Sequence, residues 1–260
     1  MPPSSPARLH ILIAQDAPIG VIFRRGPSKQ VRLILWHTDT DTFEAGQWLK
    51  GRIYEDKAAL SPNGELLAYF AMDRRPRRRT LGTEPTWIAI SRPPYLTALA
   101  LWFTGYGTWG GHTGFLDNQT VLLNLLNGAE EPAPGQEPPS GLTVGKLPLD
   151  WDYLKARGWR GRYEKLIAGG IACLELRPHA KDEKEKFWLR HKKSGEAVCL
   201  NVDYAEVDSD GRLILANAGK LFAAVVNPDL SVVKTELADF NTMVFEPIAP
   251  PDWAKQWPKI

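Results

Sequence analysis

The string Ser61-Pro62-Asn63-Gly64 lies between Lys57-Ala58-Ala59-Leu60 and Glu65-Leu66-Leu67-Ala68-Tyr69-Phe70, and it admits few backbone geometries. Proline presets the φ of a turn position and Asn-Gly supplies positive φ, so two short strands joined by a tight hairpin are expected. The same grammar returns around Asp117-Asn118 in residues 114–124 and around Asp208-Ser209-Asp210-Gly211 in residues 205–215. A weaker copy spans residues 167–174, and the runs 9–14 and 20–23 are parted by Asp16-Ala17-Pro18. With Gly20, Gly64, Asn118, Gly170 and Gly211 as turn markers, the separations are 44, 54, 52 and 41 residues. Propeller blades take about 40 to 50 residues each, so the expected fold is all-β, a β-propeller of about five blades. A β-sandwich is the alternative, because its loops also read Asp-Gly or Asn-Gly between apolar runs.

Composition agrees with a turn-rich β chain. Ten Trp, nine Phe and seven Tyr stand beside 21 Pro and 22 Gly. At 260 residues with 43% hydrophobic residues, a single domain spanning 1–260 is expected. Two segments break the rhythm. Residues 128–141 are rich in Pro and Glu and read as an exposed loop inserted between blades. Residues 149–166 carry Trp151, Leu154 and Trp159 among charges, and their first half fits a short helix ending near Gly158.

Charge and targeting signals exclude several classes. A net charge of +2 gives no global field for nucleic acid. The longest apolar runs, such as residues 96–103, fall short of the roughly 20 residues that cross a bilayer. The opening Met-Pro-Pro-Ser-Ser-Pro lacks the basic start and apolar core of a signal peptide, and only Cys173 and Cys199 are available for oxidation, so a cytoplasmic protein is expected.

Three constellations invite a functional reading. His37, Asp39 and Asp41 alternate and would share one face of a strand, where they can bind a divalent metal; the plainer reading is a polar turn running through Thr38, Thr40 and Thr42. No metal site and no cofactor are expected. Residues 105–114, Gly-Tyr-Gly-Thr-Trp-Gly-Gly-His-Thr-Gly, combine glycines with stacking surfaces on Tyr106, Trp109 and His112; an ordinary loop folded onto the core is the competing reading. Arg74, Arg75, Arg77, Arg78 and Arg79 surround Pro76 in a run that can contact phosphates or an acidic partner; a solvated hairpin tip is the plainer reading, and no interleaved aromatics support base stacking. Catalytic signatures are lacking: there is no Gly-x-Ser-x-Gly, His-Glu-x-x-His or Cys-x-x-Cys.

Residues 59–69, and residues 210–216 with Gly219-Lys220-Leu221-Phe222, resemble strands of TolB-like and WD40-like β-propellers, though the recurring Gly-His and Trp-Asp pairs of true WD40 repeats are missing. Residues 25–48, with Asp239-Phe240-Asn241 and residues 245–254, look like a group of uncharacterised bacterial proteins. The resemblance implies a propeller fold and no particular activity. The expected function is a non-enzymatic interaction or scaffolding module for a protein partner, such as an accessory or immunity component of a bacterial system. A hydrolase that acts on a carbohydrate-like substrate with carboxylates in a central funnel is the alternative.

Overall fold

Gly64 sits at φ +77° and its N–H donates to the Ser61 carbonyl (2.9 Å), closing the turn expected from the sequence. Asn63 works through its side chain, whose Oδ1 accepts from the Ser61 hydroxyl (2.7 Å) and from the Glu65 N–H (3.1 Å). In the computed structural model, which describes residues 5–26, 29–74, 84–105, 107–125, 131–148, 164–177 and 186–259, this hairpin is one of a series.

The first sheet is β1 (Arg8–Ile13), β2 (Ile19–Arg25), β3 (Gln30–His37) and β4 (Thr42–Lys50); the second is β5 (Arg52–Leu60), β6 (Leu67–Met72), β7 (Thr86–Ser91) and β8 (Ala100–Phe103). The third holds β9 (Thr113–Phe115), β10 (Thr120–Leu123) and β11 (Thr143–Lys146). The fourth is β12 (Glu164–Leu166), β13 (Ala172–Arg177), β14 (Lys186–His191) and β15 (Ala197–Cys199), and the fifth is β16 (Tyr204–Val207), β17 (Leu213–Asn217), β18 (Lys220–Val226) and β19 (Val232–Asp239). Every sheet pairs its strands in chain order, antiparallel except for the parallel pair β10–β11. Four of the five turn markers fall between the first and second strands of their sheets, and Gly20 is the second residue of β2.

Many of these strands are buried on both faces, which is why they read as continuous apolar runs rather than alternating ones. Leu12, Val21, Phe23 and Leu33 of the first sheet pack with Ile53, Leu67, Tyr69 and Ala71 of the second. From the other face of the first sheet, Leu9, Ile11, Ile22, Ile34 and Trp36 pack with Ile214, Ala216 and Leu221 of the fifth. Ala68, Phe70, Ile88 and Ile90 join the second sheet to Phe115, Val121 and Leu123 of the third, and Leu174 and Leu189 join the fourth to Leu213 and Leu215 of the fifth. The first sheet thus packs on the second, the second on the third and the fourth on the fifth, and the fifth meets the first.

The turns at one end repeat this order in hydrogen bonds. Asp16 N–H donates to the Pro62 carbonyl (2.8 Å), Asn63 N–H to Asn118 Oδ1 (2.9 Å), and Ala168 N–H to the Gly211 carbonyl (2.7 Å). Arg212 closes the set by bridging from the fifth sheet to Asp41 of the first.

The C-terminal segment straps several sheets together. Phe240 is buried beside Phe43 (5.5 Å between rings), and Asn241 Oδ1 accepts from Ala7 N–H (3.0 Å). Further on, Phe245 lies against Trp48 and under the Lys50 ammonium, Trp253 meets Arg92 and Tyr95, and Trp257 packs on the core between the second and third sheets. The Pro/Glu-rich insert behaves similarly over its described part. Ala133 N–H donates to the Leu101 carbonyl (2.8 Å) and Leu101 N–H to the Gln136 carbonyl (3.3 Å), so residues 133–136 lie along the outer edge of β8. The stretch that fits a short helix, up to Gly158, lies outside the described residues, whereas Glu164–Leu166 beyond it is strand β12.

Phe240 carries the apolar closure between the strap and the first sheet. Phe240→Ala is expected to lower unfolding stability by about 3–5 kcal/mol, read as a reduced urea midpoint with unchanged slope.

Candidate functional site

Lys57 is a buried lysine of strand β5, 8% exposed, and what it holds defines the most distinctive loop of the chain. Its Nζ donates to the Thr108 carbonyl (2.5 Å) and to the Gly110 carbonyl (2.7 Å), with the Tyr54 and Phe70 rings 5.4 and 5.2 Å from the ammonium. Burial pushes its pKa below the ordinary lysine value; Asp56 opposes the shift and Arg52 adds to it. The loop is fixed again further on. Gly111, at φ +89°, lies on the Phe70 ring so closely that a Cβ would sit 2.4 Å from Cγ, and Gly111 N–H donates to the Asn124 carbonyl (2.9 Å). Between the two anchored carbonyls, Trp109 is 89% exposed.

The roots of this loop and of the arginine connection are stitched together. Asp73 N–H donates to the Pro85 carbonyl (2.8 Å), while Thr104 donates through its N–H to the Thr86 carbonyl (3.0 Å) and through its hydroxyl to Thr86 Oγ1 (2.9 Å). Gly105 N–H donates to a Glu84 carboxylate oxygen, and the Thr86 hydroxyl donates to the Gly105 carbonyl. Because β6–β7 and β8–β9 both turn at the end of the second sheet opposite Gly64, Arg74 lies at the same end as the loop that carries Trp109. Trp109 and Arg74 are exposed and His112 is half-buried; Tyr106, Arg75, Arg77, Arg78 and Arg79 lie outside the described residues. Sequence reading missed Lys57, whose only signal is a cation placed next to the run Ala58-Ala59-Leu60.

The His37, Asp39 and Asp41 group is the polar turn. Only His37 is in strand β3, and residues 38–41 form the turn. Asp41 accepts from Arg212 Nη1 (2.8 Å) and Nη2 (2.9 Å) and from Trp36 Nε1 (3.1 Å). Arg212 also reaches Asp208 (2.7 Å) and the Thr38 carbonyl (2.6 Å), and the bonds to Asp41 and Asp208 hold the guanidinium firmly charged.

Where the first strands of all five sheets converge, a cavity of about 30 Å³ is lined by Leu12, Ala59, Thr113, Lys165 and Glu206, among others. That is room for about two waters. Its carboxylate, Glu206, is 2% exposed and bonds to Lys165 Nζ at 2.8 Å. Among the described residues no second carboxylate lines this cavity, so the pair that a carbohydrate hydrolase needs is not assembled there.

Glu164, Cys173 and Glu175 bring three ligand-type atoms within 4.8 Å of one another. Arg190 spans both carboxylates, at 2.7 Å from Glu164, and Arg177 lies 2.8 Å from Glu175. Burial resists the charge on Glu175, yet the arginine hydrogen bonds hold its carboxyl below the usual range; burial pushes the Cys173 thiol up. The cluster is a saturated ion-pair network around a protonated thiol.

No family model and no curated protein matches this sequence. Among solved structures, an uncharacterised Listeria monocytogenes protein overlaps 88% of this chain and 66% of its own at 10% identity and a TM-score of 0.31. TolB from Acinetobacter baumannii overlaps 85% and 52% at 13% identity and a TM-score of 0.28. A putative 6-phosphogluconolactonase from Bacteroides uniformis overlaps 87% and 82% at 9% identity and a TM-score of 0.23. The chain thus spans about two thirds of the Listeria protein and about half of TolB.

Lys57→Met is expected to keep the fold and free the loop, seen as faster amide hydrogen exchange across residues 107–111. The pH dependence has a defined sign. Folded Lys57 binds its proton less tightly than the unfolded chain does, so its contribution to stability rises with pH in the window just below the ordinary lysine pKa. Wild type minus Lys57→Met should show that positive slope in urea titrations at graded pH.

Proposed function

We propose that the five sheets are the blades of a propeller and that the chain is a protein-binding module working in a reducing compartment such as the cytoplasm. The partner meets the end that carries Trp109 and Arg74. One observation carries this reading: a nearly fully exposed indole sits between two carbonyls pinned by a buried ammonium. Water-exposed tryptophan on a pre-fixed loop gives an interface anchor with little ordering cost on binding, and tryptophan and arginine dominate binding hot spots. The free cysteines, Cys173 buried and Cys199 exposed, suit a reducing environment. The narrow, ion-paired centre favours this reading over hydrolysis in the funnel.

Affinity capture from bacterial extract with wild type, Trp109→Ala and Arg74→Glu tests it. Neither side chain supports the core, so all three proteins should fold alike. A protein retained by wild type at stoichiometric yield and lost at least tenfold with Trp109→Ala is the expected result; identical recovery by all three would sink the proposal.

A further inference from the structure

The outer strand of the fifth sheet, β19, pairs with β18 on one side, and among the described residues no backbone hydrogen bond reaches its other edge. An open edge is a template for another strand. The chain shows what such an edge attracts, since the outer edge of β8 is taken by residues 133–136. Along β19, residues Val233 to Glu236 are all exposed, and Val233 stands opposite the equally exposed Val225 on β18.

We propose that β19 pairs antiparallel with β19 of a second copy of this chain, with Thr235 facing Thr235 across a twofold axis. The charge pattern selects that occupant and register. In this alignment Lys234 lies opposite Glu236 of the second copy and Glu236 opposite its Lys234, all four on one face, because residues two apart share a face. Edge lysines usually block pairing by bringing like charges together, but a lysine and a glutamate placed symmetrically about one residue do the opposite. Both groups are available for it. Lys234 makes no ion pair within the chain among the described residues, and Glu236 uses Oε2 for Lys220 (2.9 Å), leaving Oε1 open. The shift in register between Leu221 and Phe222 limits the flat stretch to the residues before Leu237, so the shared surface is small and association is weak.

Sedimentation velocity over a range from about 5 μM to about 0.5 mM reads such weak association. Wild type should pass from monomer to dimer. Lys234→Glu sets glutamate against glutamate twice and should shift the dissociation constant upward at least tenfold. The charge exchange Lys234→Glu with Glu236→Lys should return it towards wild type, which no nonspecific apolar contact would do. Circular dichroism confirms the fold of each variant. A wild type that stays monomeric throughout, a Lys234→Glu variant that dimerises like wild type, or an exchange variant that stays monomeric would each overturn the pairing.

Discussion

The seam between the first and fifth sheets is the contact on which the rest of the structure depends. Strands buried on both faces need a neighbour on each side, and the first and last sheets of the chain each lack one along the sequence. They obtain it from each other. Trp36, Ile34 and Ile11 meet Ile214 and Ala216 there, with Phe240 closing over Phe43, and burial of each large side chain is worth about 1.5–3 kcal/mol. Directional bonds fix the alignment: Tyr204 donates to the Ile11 carbonyl (3.0 Å), and Arg212 clamps Asp41. The clamp is about one third exposed, so its worth is in register more than in energy.

That closure divides the molecule into parts with different freedom. At the Gly64 end, hydrogen bonds tie the turns of the first and second, the second and third, and the fourth and fifth sheets to one another. Where the first strands converge, the cavity beside the Lys165–Glu206 pair has space for about two waters. At the opposite end Trp109 and Arg74 are exposed, and a costly device, a buried lysine, holds one loop outward. A buried cation is tolerated only when hydrogen-bonded, and the two carbonyls that satisfy Lys57 are those flanking Trp109. The same bonds that make Lys57 tolerable hold Trp109 in place.

Local turn chemistry made the β class and the unit spacing legible in the sequence. Pro62 and Gly64 act within four residues, and the markers near 118, 170 and 211 do the same, so each hairpin could be read without its surroundings. Longer-range partners were invisible. The polar turn at residues 38–41 was legible, but nothing local showed that Arg212, far away in sequence, is the partner of Asp41. Residues 133–136 looked like a bare loop because composition does not reveal that β8 offers them an edge. Trp109 stood out by composition, but its exposure depends on Lys57, a residue whose burial no local pattern announces.

The central claim, that the fifth sheet closes on the first, is tested most directly by a double-mutant cycle on Asp41 and Arg212 in urea unfolding, using Asp41→Ala, Arg212→Ala and the double variant. Closure predicts one cooperative transition and a coupling energy of about 0.5 kcal/mol or more between these residues, distant in sequence but in contact. Additive losses, with no coupling beyond about 0.3 kcal/mol, would contradict it.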